Sequence, residues 1–492
     1  MLEAFPMLRP TTLIAWVLVS SVVHGARPLQ VDDPFKVRRV ADPQVAVTGA
    51  VAYQVTVADP GANTLTTRIW LKLPGQEPRE LALGPGNASH PRFSPDGNRL
   101  AYQSGGQIWV VDLTTSETKR ITDVPGGASG ALWSPDGSHL AFVSSVRPSG
   151  DLSETAAYLK AQEARKATGR RFEGLMYRHW MAYRDPNLVS HLFVVKADGT
   201  GGPRDLTPHW RFDIPNAAGV DAGEGYAWSP DGTRLAFSSH PEFDKATSTN
   251  GEIYEVALEG GEPKRLSTNP AMDCSPCYSP DGRYLAWRAQ RRPGFEADRW
   301  ELWVMDRATG KVLYDTRAFD AHVDDFAWAG DAIVFSAEVK ARKQLWRWVP
   351  GKAPRVLTKD LFVEGFALNA KGDRAVAHLT TSAMPADLFE IDLASGNAVR
   401  LTRHNEALAQ ELGLNRAEDL WVDGVPGPDG KPVKIHSLVV KPVGFDPTQR
   451  YPVAFIIHGG PQGSNADHWH YRWNYQSWAG RGFLVVAPNP RG

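Results

Sequence analysis

The chain is poor in several things, and each scarcity removes a class of function. Two cysteines in 492 residues, Cys274 and Cys277, cannot close a zinc site by themselves and cannot build a disulfide framework. Their C-x-x-C spacing sits in a strand-like context rather than at a helix start, which leaves buried thiols or one local disulfide as the two readings. Charge of one sign is also missing: the formal net charge is -1 with 54 Lys+Arg against 55 Asp+Glu. With no basic stripe, the electrostatic footprint of a nucleic-acid binder is absent. No H-E-x-x-H, phosphate-binding G-x-x-x-x-G-K-[ST] or EF-hand loop occurs, so neither a metal nor a nucleotide cofactor is expected. Long apolar runs are confined to one place. Within residues 1–26, Arg9 precedes an apolar stretch from Leu13 to Val23, which ends in Gly25 and Ala26. That run is short for a membrane span and has the layout of a secretory signal, so residues 1–25 are expected to direct export to a periplasm or beyond, with no other membrane contact.

What the chain has in abundance is turn chemistry, with 45 Gly and 37 Pro alongside 42% hydrophobic residues. A phrase recurs: "RFSPDGNRLAY" at 92–102, "LWSPDGSHLAF" at 132–142, "AWSPDGTRLAF" at 227–237 and "CYSPDGRYLAW" at 277–287. Each reads as strand, tight turn, strand, with Asp-Gly supplying the positive φ of a hairpin. Weaker copies stand at 46–55, 327–337 and 367–379, and most steps are 40 to 50 residues, the period of a four-stranded propeller blade. After most copies comes a second strand pair such as "QIWVVDLTTSETKRIT" or "DLFEIDLASGNAVRLT". Seven copies predict a seven-bladed β-propeller over 33–403, whose blades bury their faces only by closing a ring. One gap of about 95 residues holds an insertion near 150–187, helix-prone first and aromatic-rich afterwards. Its His179, Trp180 and Tyr183 are positioned either to touch a ligand or to pack on the neighbouring blade.

From about residue 405 the pattern changes. "VAFIIH" is continuous and β-branched, as a strand buried on both faces would be, and runs into Gly459-Gly460. In "HYRWNYQSWAGRGF", Tyr471, Tyr475, Trp478 and Ala479 share one helical face and Gly482 ends the helix. "FLVVAP" follows as a second buried strand. Strand, helix, strand is the opening of a parallel sheet.

The S-P-D-G repeats followed by "IIHGGPQGS" and "VVAPNPRG", with "GLMYRHW" and "RPGFEADRWELWVMDRATGK" upstream, resemble the prolyl oligopeptidase family of serine peptidases, in its dipeptidyl-peptidase 5 and acylaminoacyl-peptidase branch. The resemblance implies an all-β seven-bladed propeller followed by the N-terminal part of an α/β-hydrolase domain, an incomplete parallel sheet at 405–492. It implies that the Gly460 amide donates to the oxyanion of a tetrahedral intermediate, with Gly459 permitting the turn and His458 orienting the loop. The fold's nucleophile lies on a G-x-S-x-G elbow, with the acid and histidine after it; no such pentapeptide occurs in these 492 residues. The expectation is a fragment lacking the catalytic Ser, Asp and His and inactive as written, drawn from an exopeptidase acting on oligopeptides. Glu296, Glu252 and Trp180 are the substrate-binding candidates, the carboxylates for a free N-terminal amine, with structural surface pairing the other reading for either glutamate. The competing expectation is a non-enzymatic propeller that binds peptides or envelope proteins.

Overall fold

The computed structural model describes residues 26–84, 86–179, 182–215, 224–240, 246–460 and 463–490. The proposed signal at 1–25 and Trp180 lie outside the described residues, and the side chain of His179 is likewise not described.

The S-P-D-G turns form as their residues dictate. In the first, Ser94 Oγ donates to Asp96 Oδ1 at 2.5 Å and accepts from the Arg99 amide at 3.0 Å, while Gly97 takes φ 74°. Ser134, Ser229 and Ser279 repeat the bond to Asp136, Asp231 and Asp281. The serine hydroxyls hold these carboxyls below the usual range, down to about 2 at Asp136 and Asp231. In the drifted copy at 367–379 an asparagine takes the serine's place, Asn369 Oδ1 accepting from Asp373 N at 3.2 Å.

These turns punctuate seven successive four-stranded antiparallel sheets, spanning 39–80, 89–120, 129–205, 226–265, 273–315, 326–356 and 362–400. In each, strands follow one another in chain order. A sheet this small leaves two apolar faces in water unless neighbours cover them. Here every successive pair shares one buried cluster: Tyr102 with Leu71 between first and second, Ile108 with Phe142 between second and third, and so on around to Val363 with Val334. The first sheet then meets the seventh, Val40, Val51 and Tyr53 packing with Val376 and Leu388. Asn405 ties the same seam, accepting from Arg38 N at 2.9 Å and donating to Arg38 O and Ala386 O. Asp42, His90 and Ser275, at bulges in the first strands of three sheets, take left-handed φ of 50–58°.

The insertion leaves the third sheet between His139–Val146 and Val189–Lys196. Its helix, Leu152–Glu163, is capped by Asp151, which accepts from Ser153 N and Glu154 N. Among the described residues of the aromatic half, Tyr183 stacks on Phe172 and Tyr177 and stays half exposed.

Both cysteines lie on Asp273–Tyr278, and they are not joined in a disulfide. Burial pushes Cys277 up to about 12. Beside them Asp273 is fully buried, with Asn269 Nδ2 donating to its Oδ1 at 2.9 Å, and burial pushes its carboxyl up to about 8. An unfolded Asp titrates near ~4. Between these values the folded chain binds the extra proton, so this group's contribution to stability is complete below about pH 4 and declines as pH rises toward 8. Asp273→Asn is therefore expected to raise the denaturation midpoint at pH 8 relative to wild type and to have a smaller effect at pH 4, measured by chemical denaturation at both.

A mixed sheet closes the chain: Glu418–Pro426, Pro432–Val440, Leu484–Asn489 and Val453–Phe455, in that spatial order. The first three pair antiparallel; Val453–Phe455 runs parallel to Leu484–Asn489, as the strand, helix, strand reading predicts. Two expectations need correction. "VAFIIH" is not buried on both faces: Ala454 is buried, whereas Val453, Phe455 and Ile457 are 56%, 60% and 76% exposed, because among the described residues no layer covers that face of the sheet's edge strand. The helix is also shorter, Tyr475–Ala479 only. Tyr471 precedes it because Asn474 caps the first turn and the tethers described below hold 464–474 irregular. Gly482, at φ 85°, does turn the chain out of the helix.

Candidate active site

The parallel strand ends at Phe455, and the chain continues to a turn at Gly459-Gly460. In parallel sheets, ligands gather beyond the strands' carboxyl ends. Gly460 has φ 139°, backbone that a side chain rarely adopts, whereas a Cβ on Gly459 would meet open space. The conformational demand for glycine thus rests on Gly460, not on Gly459. Both glycines are exposed, and among the described residues neither amide is hydrogen-bonded. His458 turns Nδ1 to Gly459 O at 3.0 Å, a contact that braces the loop. Pro461 and Gln462 lie outside the described residues.

The return path is fixed by side chains with no sequence signature. Asn465 donates to Ile456 O at 3.2 Å and Pro488 O at 2.9 Å, and its amide donates to Asn489 Oδ1 at 2.6 Å, stitching the loop to both parallel strands. Ser464 Oγ donates to Glu338 Oε1 at 2.7 Å. Burial raises the Glu338 carboxyl above its ordinary value. Asp467, fully buried, accepts from Ser382 N at 2.9 Å, Ser382 Oγ at 2.6 Å and Arg416 Nε at 2.9 Å, with Arg342 Nε at 3.3 Å. Its own amide donates to Ala341 O at 2.9 Å. The Lys340-Ala341 hairpin of the sixth sheet thereby plugs into the terminal sheet's core with Leu438, Tyr475 and Val485.

The carboxylate candidates do not join this site. Glu252 is buried within the fourth sheet, paired with Arg265 and accepting from Ser267 Oγ at 2.6 Å. That is an internal ion pair rather than a surface group. Glu296 is exposed, in the loop beyond the second strand of the fifth sheet, where its carbonyl accepts from Gln290 Nε2 at 3.0 Å. Among the described residues no hydrogen bond or ion pair links either to the 458–474 loop. A cavity of about 940 Å³ lies under the insertion, lined by Phe172, Tyr177, Arg184 and Asp213. Another, of about 450 Å³, lies where the 468–472 segment crosses the first and seventh sheets. Among the described residues no three His, Cys, Asp or Glu side chains converge as a metal site.

No family model matches the chain. A curated relative, dipeptidyl-peptidase 5 of Porphyromonas endodontalis, is 30% identical over 457 residues, covering 90% of this chain and 64% of that protein. The chain spans about half to two thirds of the length of the curated relatives it matches. In fold it is similar to Pyrococcus horikoshii acylaminoacyl peptidase, with TM-score 0.72 at 20% identity over 94% of this chain and 67% of that one. It is also similar to the β-propeller domain of the Trilobed protease from Pyrococcus furiosus, TM-score 0.51 at 17% identity over 75% and 97%. The chain is a propeller-like, nearly all-β protein that is similar to the peptidases of the prolyl oligopeptidase family. Two of its curated relatives, from Porphyromonas gingivalis and Porphyromonas endodontalis, carry the name dipeptidyl-peptidase 5.

Proposed function

We propose that the chain supplies the seven-bladed propeller, over 33–403, and the opening strands of an α/β-hydrolase domain, from 405, of an exported serine exopeptidase acting on oligopeptides. The Gly460 amide is its oxyanion donor, and the nucleophile, acid and histidine are not among these 492 residues. The observation that carries this reading is the free, glycine-defined turn at the carboxyl end of a parallel strand, where a developing negative charge would meet an amide with no side chain between. The exposed row Val453, Phe455, Ile457 supports it, since an apolar edge of this kind is the surface a further strand and layer cover. The names of the relatives, dipeptidyl-peptidase and acylaminoacyl peptidase, support a substrate class of dipeptides or blocked amino acids removed from oligopeptides. An oxyanion donor alone breaks no acyl bond. Residues 26–492 are accordingly expected to show no turnover of dipeptidyl or acyl-aminoacyl chromogenic substrates. Turnover that a serine-directed inhibitor abolishes would overturn the assignment of the triad to other residues.

A further inference from the structure

The loop that begins at Gly459-Gly460 is tied to the ring of sheets as well as to the terminal sheet. Gly459 C=O and Gly460 N–H belong to one planar trans peptide and point opposite ways, so whatever holds the carbonyl aims the amide. Among the described residues two groups hold it. His458 Nδ1 donates to Gly459 O at 3.0 Å, and Gly463 backs the same oxygen so closely that a Cβ there would lie 2.8 Å from it. Gly463 is fixed in turn through its neighbour, because Ser464 Oγ donates to Glu338 Oε1 at 2.7 Å. Glu338 stands on the second strand of the sixth sheet, just before the Lys340-Ala341 hairpin that Asp467 N locks through Ala341 O at 2.9 Å. Stability alone does not account for it. Among the described residues the Ser464 hydroxyl is its one hydrogen-bond partner, and no cation pairs with it, Lys343 being engaged by Asp324 at 3.3 Å. A half-buried carboxylate held by one neutral donor costs more desolvation than an amide in its place.

We propose that Glu338 is a positioning residue for the oxyanion donor, acting through Ser464 and Gly463 on the Gly459-Gly460 peptide plane. The inference rests on the peptidase reading and deepens it. The sixth sheet then sets the direction of the Gly460 amide without touching substrate, so its effect falls on the chemical step and is the same for every peptide turned over.

The test has two parts. Hydrogen exchange on the full chain follows the Asn465 amide, which is bonded to Asn489 Oδ1 and adjoins Ser464. Glu338→Ala and Ser464→Ala are each expected to speed its exchange about tenfold, the loss of one charge-assisted bond, whereas Glu338→Gln keeps an acceptor and should stay within about threefold of wild type. Unchanged exchange in both alanine variants overturns the tether and leaves the peptidase reading in place. In a polypeptide that also carries the nucleophile, each alanine variant is expected to lose about tenfold in kcat with KM within about threefold, and Glu338→Gln to recover most of the loss. The double variant should lose no more than either single one, since both break one bond. A rise in KM confined to substrates with a free amine assigns Glu338 to substrate contact and overturns the positioning role. Additive losses overturn the path through Ser464. Ser464 is exposed, so its variant keeps both parts intact if Glu338→Ala fails to fold. A wild-type polypeptide without turnover overturns the peptidase reading and the role in catalysis, whatever the exchange shows.

Discussion

Asp467→Ala is expected to destabilise the junction between the sheets and the terminal unit by about 3–5 kcal/mol, the range for removing one partner of a buried ion pair. The carboxylate is fully buried and collects two guanidiniums, from the sixth sheet and from the approach to the terminal sheet, together with both donors of Ser382 in the seventh. Removing it leaves Arg342, whose side chain is only 12% exposed, with the half-exposed Asp419 at 3.4 Å as its remaining carboxylate. The loop from Ser464 to Asn474 loses its central anchor at the same time. The checks are thermal unfolding and limited proteolysis, with earlier melting and new cleavage near 403–417. Asp467→Asn keeps an acceptor for Ser382 and should lose less. A wild-type melting curve for the alanine variant would show that the junction does not depend on this group.

The second large effect concerns catalysis by a polypeptide that also carries the nucleophile. There, Gly460→Ala is expected to lower kcat by about a hundredfold or more, the cost of losing one oxyanion donor. At φ 139° a Cβ forces the backbone to rotate, and the amide leaves its direction. Gly459→Ala, whose Cβ meets open space, should cost far less. The contrast between adjacent glycines separates a defined donor from a merely flexible turn. Similar losses at both positions would remove the special role of Gly460.

The parts of the fold that repeat were legible in the sequence because local chemistry repeats with them. Ser-Pro-Asp-Gly makes its own turn through bonds within six residues, so each copy declares its position. The H-G-G turn was legible for the same reason. The rest failed where a long-range contact overrode a local pattern. "VAFIIH" is apolar throughout, yet its burial depends on neighbouring strands, and as an edge it shows one face to water. Tyr471 has the right helical spacing but is held off the helix by Asp467 and the Asn474 cap. Glu252 looked available because sequence does not reveal Arg265 and Ser267 closing over it. Asp467 carried no signal at all: its importance comes from partners 51 to 125 residues away.

The account turns on where the Gly460 amide points when acyl chemistry takes place. The direct measurement is a crystal structure of a polypeptide that carries this chain together with the nucleophile, inhibited with a dipeptide boronate. The expected result is a boronate oxygen about 2.7–3.1 Å from Gly460 N, with boron bonded to a serine outside these 492 residues. A boronate oxygen held by other donors, with the Gly460 amide bonded inside the fold, would contradict it.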